Sequence, residues 1–210
     1  MTKTSPSQRQ QIRKKFLDLR SNLSAARKNQ GSAAICKHLQ IFFAKKIFTS
    51  PEKKVAKRIA AYLNSAPEAS VDAWMNHEWQ RSQLQIFIPV LDQQQQGQMS
   101  FRGCHKNSRI SIGRFGLRTL AEPKAAEQID AADLDCVLLP MVAFDKYGTR
   151  LGMGGGYYDR FFANQTKRPY LLGISFDAQM SQQVLDRSPW DVGLDAVITE
   201  SGLTEFDSNK

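Results

Sequence analysis

The sequence predicts an α/β fold: an open, mostly parallel sheet flanked by helices and preceded by two N-terminal helices. Three observations predict it. Apolar, strand-like runs alternate with helical patterns from residue 56 to residue 199, the mark of βαβ units. The segment Leu134 to Met141 (LDCVLLPM) is the most apolar of the chain, as a central strand buried on both faces requires. A glycine-rich string, Arg150 to Arg160 (RLGMGGGYYDR), lies beyond that strand, where open α/β sheets hold their ligands.

The elements follow in order. Ile12, Phe16, Leu19 and Leu23, then Ile35, Leu39, Phe42 and Phe43, recur at spacings of three and four and predict two amphipathic helices between Ser7 and Phe48. Ser24 is the expected N-cap of the second, which places the break near Asn22. Ala56 to Leu63 reads as the first strand and 64–69, with Pro67, as a loop. Val71 to Arg81 reads as a helix, Gln85 to Leu91 as a buried strand, 93–98 as a polar turn and Met99 to Cys104 as a return strand. Residues 105–130 read as a long irregular loop, a candidate wall of a ligand pocket. After the central strand, Gly148 marks a turn within 144–151. Helix is expected over 155–165, strand over 168–176, a short helix over 177–185 and a last strand over 194–199. Residues 203–210 are expected to be a frayed tail.

A chain of 210 residues suits one domain, with residues 1–50 as helices packed on the core. No apolar run nears the ~20 residues of a membrane helix. The polar N-terminus lacks a secretory pattern, and Cys36, Cys104 and Cys136 are scattered and odd in number, so a reducing cytoplasmic location without a zinc site is expected. Residues 1–58 hold 15 of the 29 Lys and Arg against only Asp18 and Glu52. Such a face suits RNA, a polyanionic small ligand or simply solvent.

In the glycine-rich string, Gly152, Gly154, Gly155 and Gly156 let backbone N–H groups converge on one anion, and Arg150 adds a full positive charge. Asp159 lies about one turn further on, where a carboxylate beside phosphates has a use as a Mg²⁺ ligand. The string is neither a Walker A nor a Rossmann pattern. By itself it stops at anion binding, and a flexible turn with Tyr157, Tyr158 and Phe161 in the core reads it equally well.

The string RLGMGGGYYDR resembles the RLGxGxGYYD signature of the 5-formyltetrahydrofolate cyclo-ligase family. Other landmarks resemble that family in order across nearly the whole chain: Arg9 and Arg13, Tyr62-Leu63 with Glu68, Leu138-Leu139-Pro140, Phe144-Asp145 through Gly148-Thr149-Arg150, Pro189-Trp190-Asp191 and Asp195-Ala196-Val197. The resemblance implies a three-layer sheet akin to those of sugar-phosphate isomerases and CoA-transferases. It also implies the ATP- and Mg²⁺-dependent cyclisation of 5-formyltetrahydrofolate to 5,10-methenyltetrahydrofolate, with ADP and phosphate released.

Residue roles follow from the same resemblance. Arg9, Arg13, Arg150, Leu151, Tyr158 and the backbone of Gly152 to Gly156 would hold ATP. Met153, Tyr157 and that same loop would abut the folate, with Leu63, Glu68 and Phe115 shaping the pterin side. Asp159 and Asp195 would hold Mg²⁺, and Arg150, Tyr157 and Asp159 would carry the chemistry. No nucleophilic side chain is needed, and none of the cysteines nor His38, His77 or His105 falls in a landmark. The expected partners are 5-formyltetrahydrofolate and ATP, with no nucleic acid and no membrane, and a monomer is expected. Two other readings compete: an isomerase or transferase of related fold, which needs no ATP, and an RNA-binding module built on the basic helices, which needs no glycine loop.

Overall fold

The computed structural model describes residues 6–46, 57–81, 84–92, 94–163, 165 and 167–207. Two helices open it, α1 (Pro6–Asn22) and α2 (Ala25–Lys46). The break falls at Ser24, whose Oγ accepts the Arg27 N–H at 3.2 Å and satisfies an amide with no carbonyl partner in the helix. Then come β1 (Lys57–Ala60), α3 (Asp72–Arg81), β2 (Leu84–Leu91), β3 (Met99–Gly103), β4 (Ile110–Ile112), β5 (Arg118–Leu120) and β6 (Gln128–Ile129). The chain continues through β7 (Cys136–Pro140), β8 (Ala143–Phe144), β9 (Arg150–Leu151), α4 (Tyr157–Phe162), β10 (Tyr170–Ile174), β11 (Ala196–Thr199) and β12 (Gly202–Glu205).

Eight strands make one sheet in the order β12-β11-β10-β7-β1-β2-β3-β6. Its centre, β11-β10-β7-β1-β2, is parallel, and the outer strands β12, β3 and β6 pair antiparallel. After β1 the chain moves one way to β2; after β7, on the other side of β1, it moves the opposite way to β10 and β11. The loops leaving the carboxyl ends of β1 and β7 therefore diverge, and such a switch point opens the crevice that α/β sheets use for ligands.

Both faces of the sheet are covered, which accounts for strands that are apolar throughout. Ile35, Leu39 and Phe43 of α2 and Trp74 of α3 pack with Ile59, Ile86, Leu138, Leu172 and Ile198 on one face. The alternate residues Ala60, Phe87, Val137, Leu139, Leu171 and Val197 face the other way, with Phe101 and with Phe162 of α4. Helix α1 has a different seat: Phe16 is buried against Val142, Ala143, Leu151 and Leu185, so it docks on the β8–β9 hairpin, while Leu19 stays 42% exposed. No helix among the described residues is long and apolar enough to cross a membrane.

Five expectations are corrected. Residues 105–130 contain the β4–β5 hairpin and β6, whose strands of two or three residues are too short to show a period. The first strand, expected over 56–63, ends at Ala60; residue 56, like the expected last turn of α2 at 47–48, lies outside the described residues. The helix expected over 155–165 is six residues long, Tyr157–Phe162. The helix expected over 177–185 is one turn, Asp177–Gln179: the Gln179 side chain donates to Met141 O (2.8 Å) and Val142 O (2.9 Å), and Ser181 N bonds Phe144 O (2.7 Å), which draws the chain out straight. Of the expected tail, residues 203–205 belong to the edge strand β12 and Phe206 N beyond it bonds Asp195 O at 2.9 Å, while 208–210 lie outside the described residues.

One buried side chain fastens the loops of the crevice. Asp145 is fully buried and accepts from Tyr147 N (2.9 Å), Thr149 N (3.0 Å) and Leu185 N (2.8 Å). Asp145→Ala strands three amides, so a stability loss of about 3 kcal/mol is expected in denaturant melts. A loss within about 0.5 kcal/mol, as at ordinary surface sites, would contradict this role.

Candidate active site

Phe16 fixes the face of α1 that looks inward, and Arg9, Arg13 and Arg20 share it at helical spacing. Arg13 Nε donates to Gly152 O at 2.8 Å, and its guanidinium carbon lies 3.4 Å from where a Cβ on Gly154 would sit. Burial, with Arg9 nearby, lowers the Arg13 pKa from its usual value, the direction expected of crowded cations. Arg9 reaches Ser188 Oγ (2.9 Å) and Asp191 Oδ2 (2.8 Å). Arg150, on β9, is 7% exposed; it donates to Asp159 Oδ1 at 2.5 Å, and its Nε finds no acceptor among the described residues. The arginines of α1 thus turn inward, Arg13 onto the glycine loop and Arg9 onto the 188–191 segment, while Lys14 and Lys15 stay exposed.

Gly154 (φ 98°) and Gly156 (φ 63°) hold left-handed conformations that a side chain would strain, so the loop's glycines serve its shape. Gly156 caps α4, and the Arg160 guanidinium donates to Gly155 O. Because α4 is only six residues long, its dipole is a minor source of positive potential. Arg13, Arg150 and Arg160, which touch the loop or its neighbouring carboxylate, carry full charges.

On the other flank is the loop after β1. Leu63 is buried, and Glu68, half-buried, accepts the Ser65 N–H at 2.9 Å. Burial pushes the Glu68 carboxyl above the usual carboxylate range, opposed by that N–H and by the Arg20 guanidinium. Arg20 is 4% exposed and donates to Met141 O at 3.1 Å. Burial likewise raises Tyr62 and Tyr158, and the Glu68 charge adds to both. Arg150 opposes the shift at Tyr158, so this tyrosine senses both flanks of the site. Phe115 forms the β4–β5 tip at φ 59°, is 67% exposed and lies under the Arg114 guanidinium at 4.8 Å. It is a free aromatic face and not a core anchor.

Every residue expected at the site, from Arg9 to Asp195, lines one cavity of about 3080 Å³. Pockets for single drug-sized ligands run to roughly 1,000 Å³, so this one has room for two substantial molecules. The structure distinguishes between carboxylates, however. Asp195 is held through both oxygens by Arg168 (2.6 and 2.6 Å) and also accepts Leu171 N at 2.7 Å, which does not fit a metal ligand. Its place at the start of β11 explains that: it pins strands together. Asp191, which the sequence reading passed over as a ligand, behaves differently. It takes Arg9 and Ser188 N on Oδ2 alone, and the amide of its neighbour Val192 donates to Asp159 Oδ1 at 3.1 Å. Asp159 also uses one oxygen, Oδ1, for both of its hydrogen bonds. Among the described residues no group of three or more His, Cys, Asp or Glu is placed to hold an ion, so an ion here would take most of its ligands from phosphate and water, as Mg²⁺ does.

A switch-point crevice with an arginine-lined glycine loop on one side and an apolar, carboxylate-bearing pocket on the other is the layout of an α/β enzyme, its charge suited to an anion at one flank. The chain matches the model of the 5-formyltetrahydrofolate cyclo-ligase family over residues 5–200, and it belongs to that family of ligases. It is 32% identical to the 5-formyltetrahydrofolate cyclo-ligase of Escherichia coli K12 over 166 residues, covering 78% of this chain and 88% of the relative. To the Haemophilus influenzae cyclo-ligase it is 31% identical over 189 residues, covering 89% and 94%. The fold matches a Mycoplasma pneumoniae 5,10-methenyltetrahydrofolate synthetase (TM-score 0.70, 25% identity, 91% and 98% coverage). It also matches the Aquifex aeolicus synthetase (TM-score 0.74, 26% identity, 96% and 94% coverage).

Proposed function

We propose that this chain cyclises 5-formyltetrahydrofolate to 5,10-methenyltetrahydrofolate at the expense of ATP, as a cytoplasmic monomer whose site is complete within one chain. The observation that carries this reading is the single cavity with the arginine-lined loop at one side and Leu63, Glu68 and Phe115 at the other. A formyl amide is a weak electrophile with a poor leaving oxygen. Its oxygen attacks the γ-phosphorus and displaces ADP. N10 then attacks the activated carbon, the carbon–oxygen bond breaks, phosphate leaves with the former formyl oxygen, and N10 sheds its proton.

The protein's part is positioning and charge neutralisation. Arg9, Arg13 and Arg150, with the amides of Gly152 to Gly156, hold the triphosphate; Leu151 and Tyr158 back that loop. Met153 and Tyr157 abut the folate near the formyl group, Phe115 stacks on the pterin, and Glu68 accepts its N–H groups. Asp159 and Asp191, each with one oxygen outside its hydrogen bonds, would hold Mg²⁺, which would offset phosphate charge. Growth of the methenyl-folate absorbance band on mixing protein, Mg-ATP and 5-formyltetrahydrofolate tests the reading; growth without ATP, or none with it, overturns it.

A pH dependence follows from Glu68. Its ionised form is the acceptor, and burial raises its pKa, so the KM for folate rises on acidification at a higher pH than an ordinary carboxylate would give. Stability runs the other way: an acid that holds its proton more tightly when folded favours the fold at low pH, and that contribution is lost as pH rises through the elevated value. Glu68→Gln should flatten the KM profile. A profile unchanged in that variant removes Glu68 from folate binding.

A further inference from the structure

The β4–β5 hairpin stands out from the core. Ile112 (69% exposed) and Phe115 (67%) have little cover, and of residues 110–120 only Leu120, at the base, is buried. Bonds within the hairpin set its shape: Gly113 N to Leu117 O (2.8 Å), Leu117 N to Arg114 O (3.2 Å) and, past the strands, Ala121 N to Arg109 O (2.8 Å). They do not set its direction. That comes from Arg118, which shares a strand face with the buried Leu120 and so points at the body of the protein. Its Nη1 donates to Asp72 Oδ2 (3.0 Å), in the first turn of α3, and to Asn64 Oδ1 (3.3 Å), in the loop after β1. The stretch from Asn64 to Asp72 contains Glu68. One guanidinium nitrogen therefore fastens the hairpin that bears Phe115 to both ends of the segment that bears Glu68, and both of these residues line the cavity. Phe115 is also the one non-glycine residue with positive φ among the described residues, and backbone of that kind persists where the surroundings hold it and marks functional positions.

We propose that Arg118 is a positioning residue for the folate: its clasp on Asn64 and Asp72 holds the Phe115 ring at one fixed spacing from Glu68, so that a flat ligand meets a stacking face and an edge acceptor already in register. The proposal rests on the pterin roles given above to Phe115 and Glu68. The Arg118 and Asp72 side chains are 36% and 37% exposed, so their pairing contributes little to global stability. Its effect falls on the hairpin, whose outer part has no core of its own. A binding face ordered in advance raises affinity, because the ligand no longer bears the cost of ordering it. Lysine is a poor substitute here, since a compact ammonium does not present the planar fork of a guanidinium to two acceptors.

Calorimetric titration with 5-formyltetrahydrofolate, without ATP, tests the clasp. Arg118→Ala weakens the folate Kd about tenfold, the scale of one well-oriented aromatic contact, and leaves the KM for ATP within about twofold. Arg118→Lys recovers only part of that loss. Phe115→Ala weakens folate binding by a similar factor, and adding Arg118→Ala to it costs less than about twofold more, because the ring that the clasp positions is already gone. Parental folate affinity in Arg118→Ala, an equal rise in its ATP KM, or the full tenfold loss repeated in the Phe115→Ala background overturns the proposal; the last would mean that Arg118 touches the ligand itself. An unchanged Kd in Phe115→Ala removes the pterin role of that ring, and the purpose of the clasp with it. ATP-dependent turnover stands in each of these cases.

Discussion

Under the proposed reaction, Asp159→Asn is expected to turn over ATP and 5-formyltetrahydrofolate roughly 10²- to 10³-fold more slowly than the parental enzyme, the scale seen when a group that stabilises transition-state charge is lost. The side chain keeps an oxygen for the Arg150 and Val192 donors at 2.5 and 3.1 Å, so the loop stays in place. What disappears is the negative charge that would share a Mg²⁺ ion with Asp191. Asp159→Ala should lose as much activity, but it also leaves the buried Arg150 guanidinium without its partner and melts earlier. Steady-state turnover across Mg²⁺ concentrations is the measurement. Near-parental turnover of Asp159→Asn would end the assignment.

Arg150→Ala should raise the KM for ATP roughly 10- to 100-fold, the worth of a charge-assisted hydrogen bond or two, and move the folate KM less. The structure adds a second effect. The Arg150–Asp159 pair has side chains only 6% and 19% exposed, and removing one member leaves the other charged and poorly solvated, at a cost of about 3 kcal/mol. Pairing Arg150→Ala with Asp159→Asn removes that stranded charge, so the double variant should regain stability and still bind ATP poorly. A folate KM that rises more than the ATP KM would mean that the loop cradles the folate.

Much of this site is legible in the sequence. The glycine string, the arginines on one face of a helix and the uniformly apolar central strand are local patterns, and each lies where its pattern places it. Where the sequence misleads, contacts between distant segments decide. Gln179 unwinds an expected helix because two carbonyls near β7 claim its amide. The edge strand β12 is legible only through its partner β11. Asp191 and Asp195 both fall in the closing landmark, and the resemblance gives the ligand role to Asp195 alone; yet Asp195 opens an apolar run and so begins a strand, while Asp191 ends the loop that reaches the cavity. That difference in position was a usable signal. The pairing of Asp195 with Arg168, 27 residues earlier, was not.

The ion pair between Arg9 and Asp191 spans 182 positions, nearly the whole chain. Closing so large a loop carries an entropic cost that shorter contacts must offset first. The Arg9 end of the site is therefore among the last things this polypeptide can finish: α1 leaves the ribosome long before the residue that will orient its first arginine is made. A chain cut short before residue 191 would retain the glycine loop and the seat of Phe16, yet Arg9 would lack its carboxylate partner. A bound nucleotide that bridges both ends would stabilise the completed chain by mass action, so cellular nucleotide supply would favour the full-length form over its fragments.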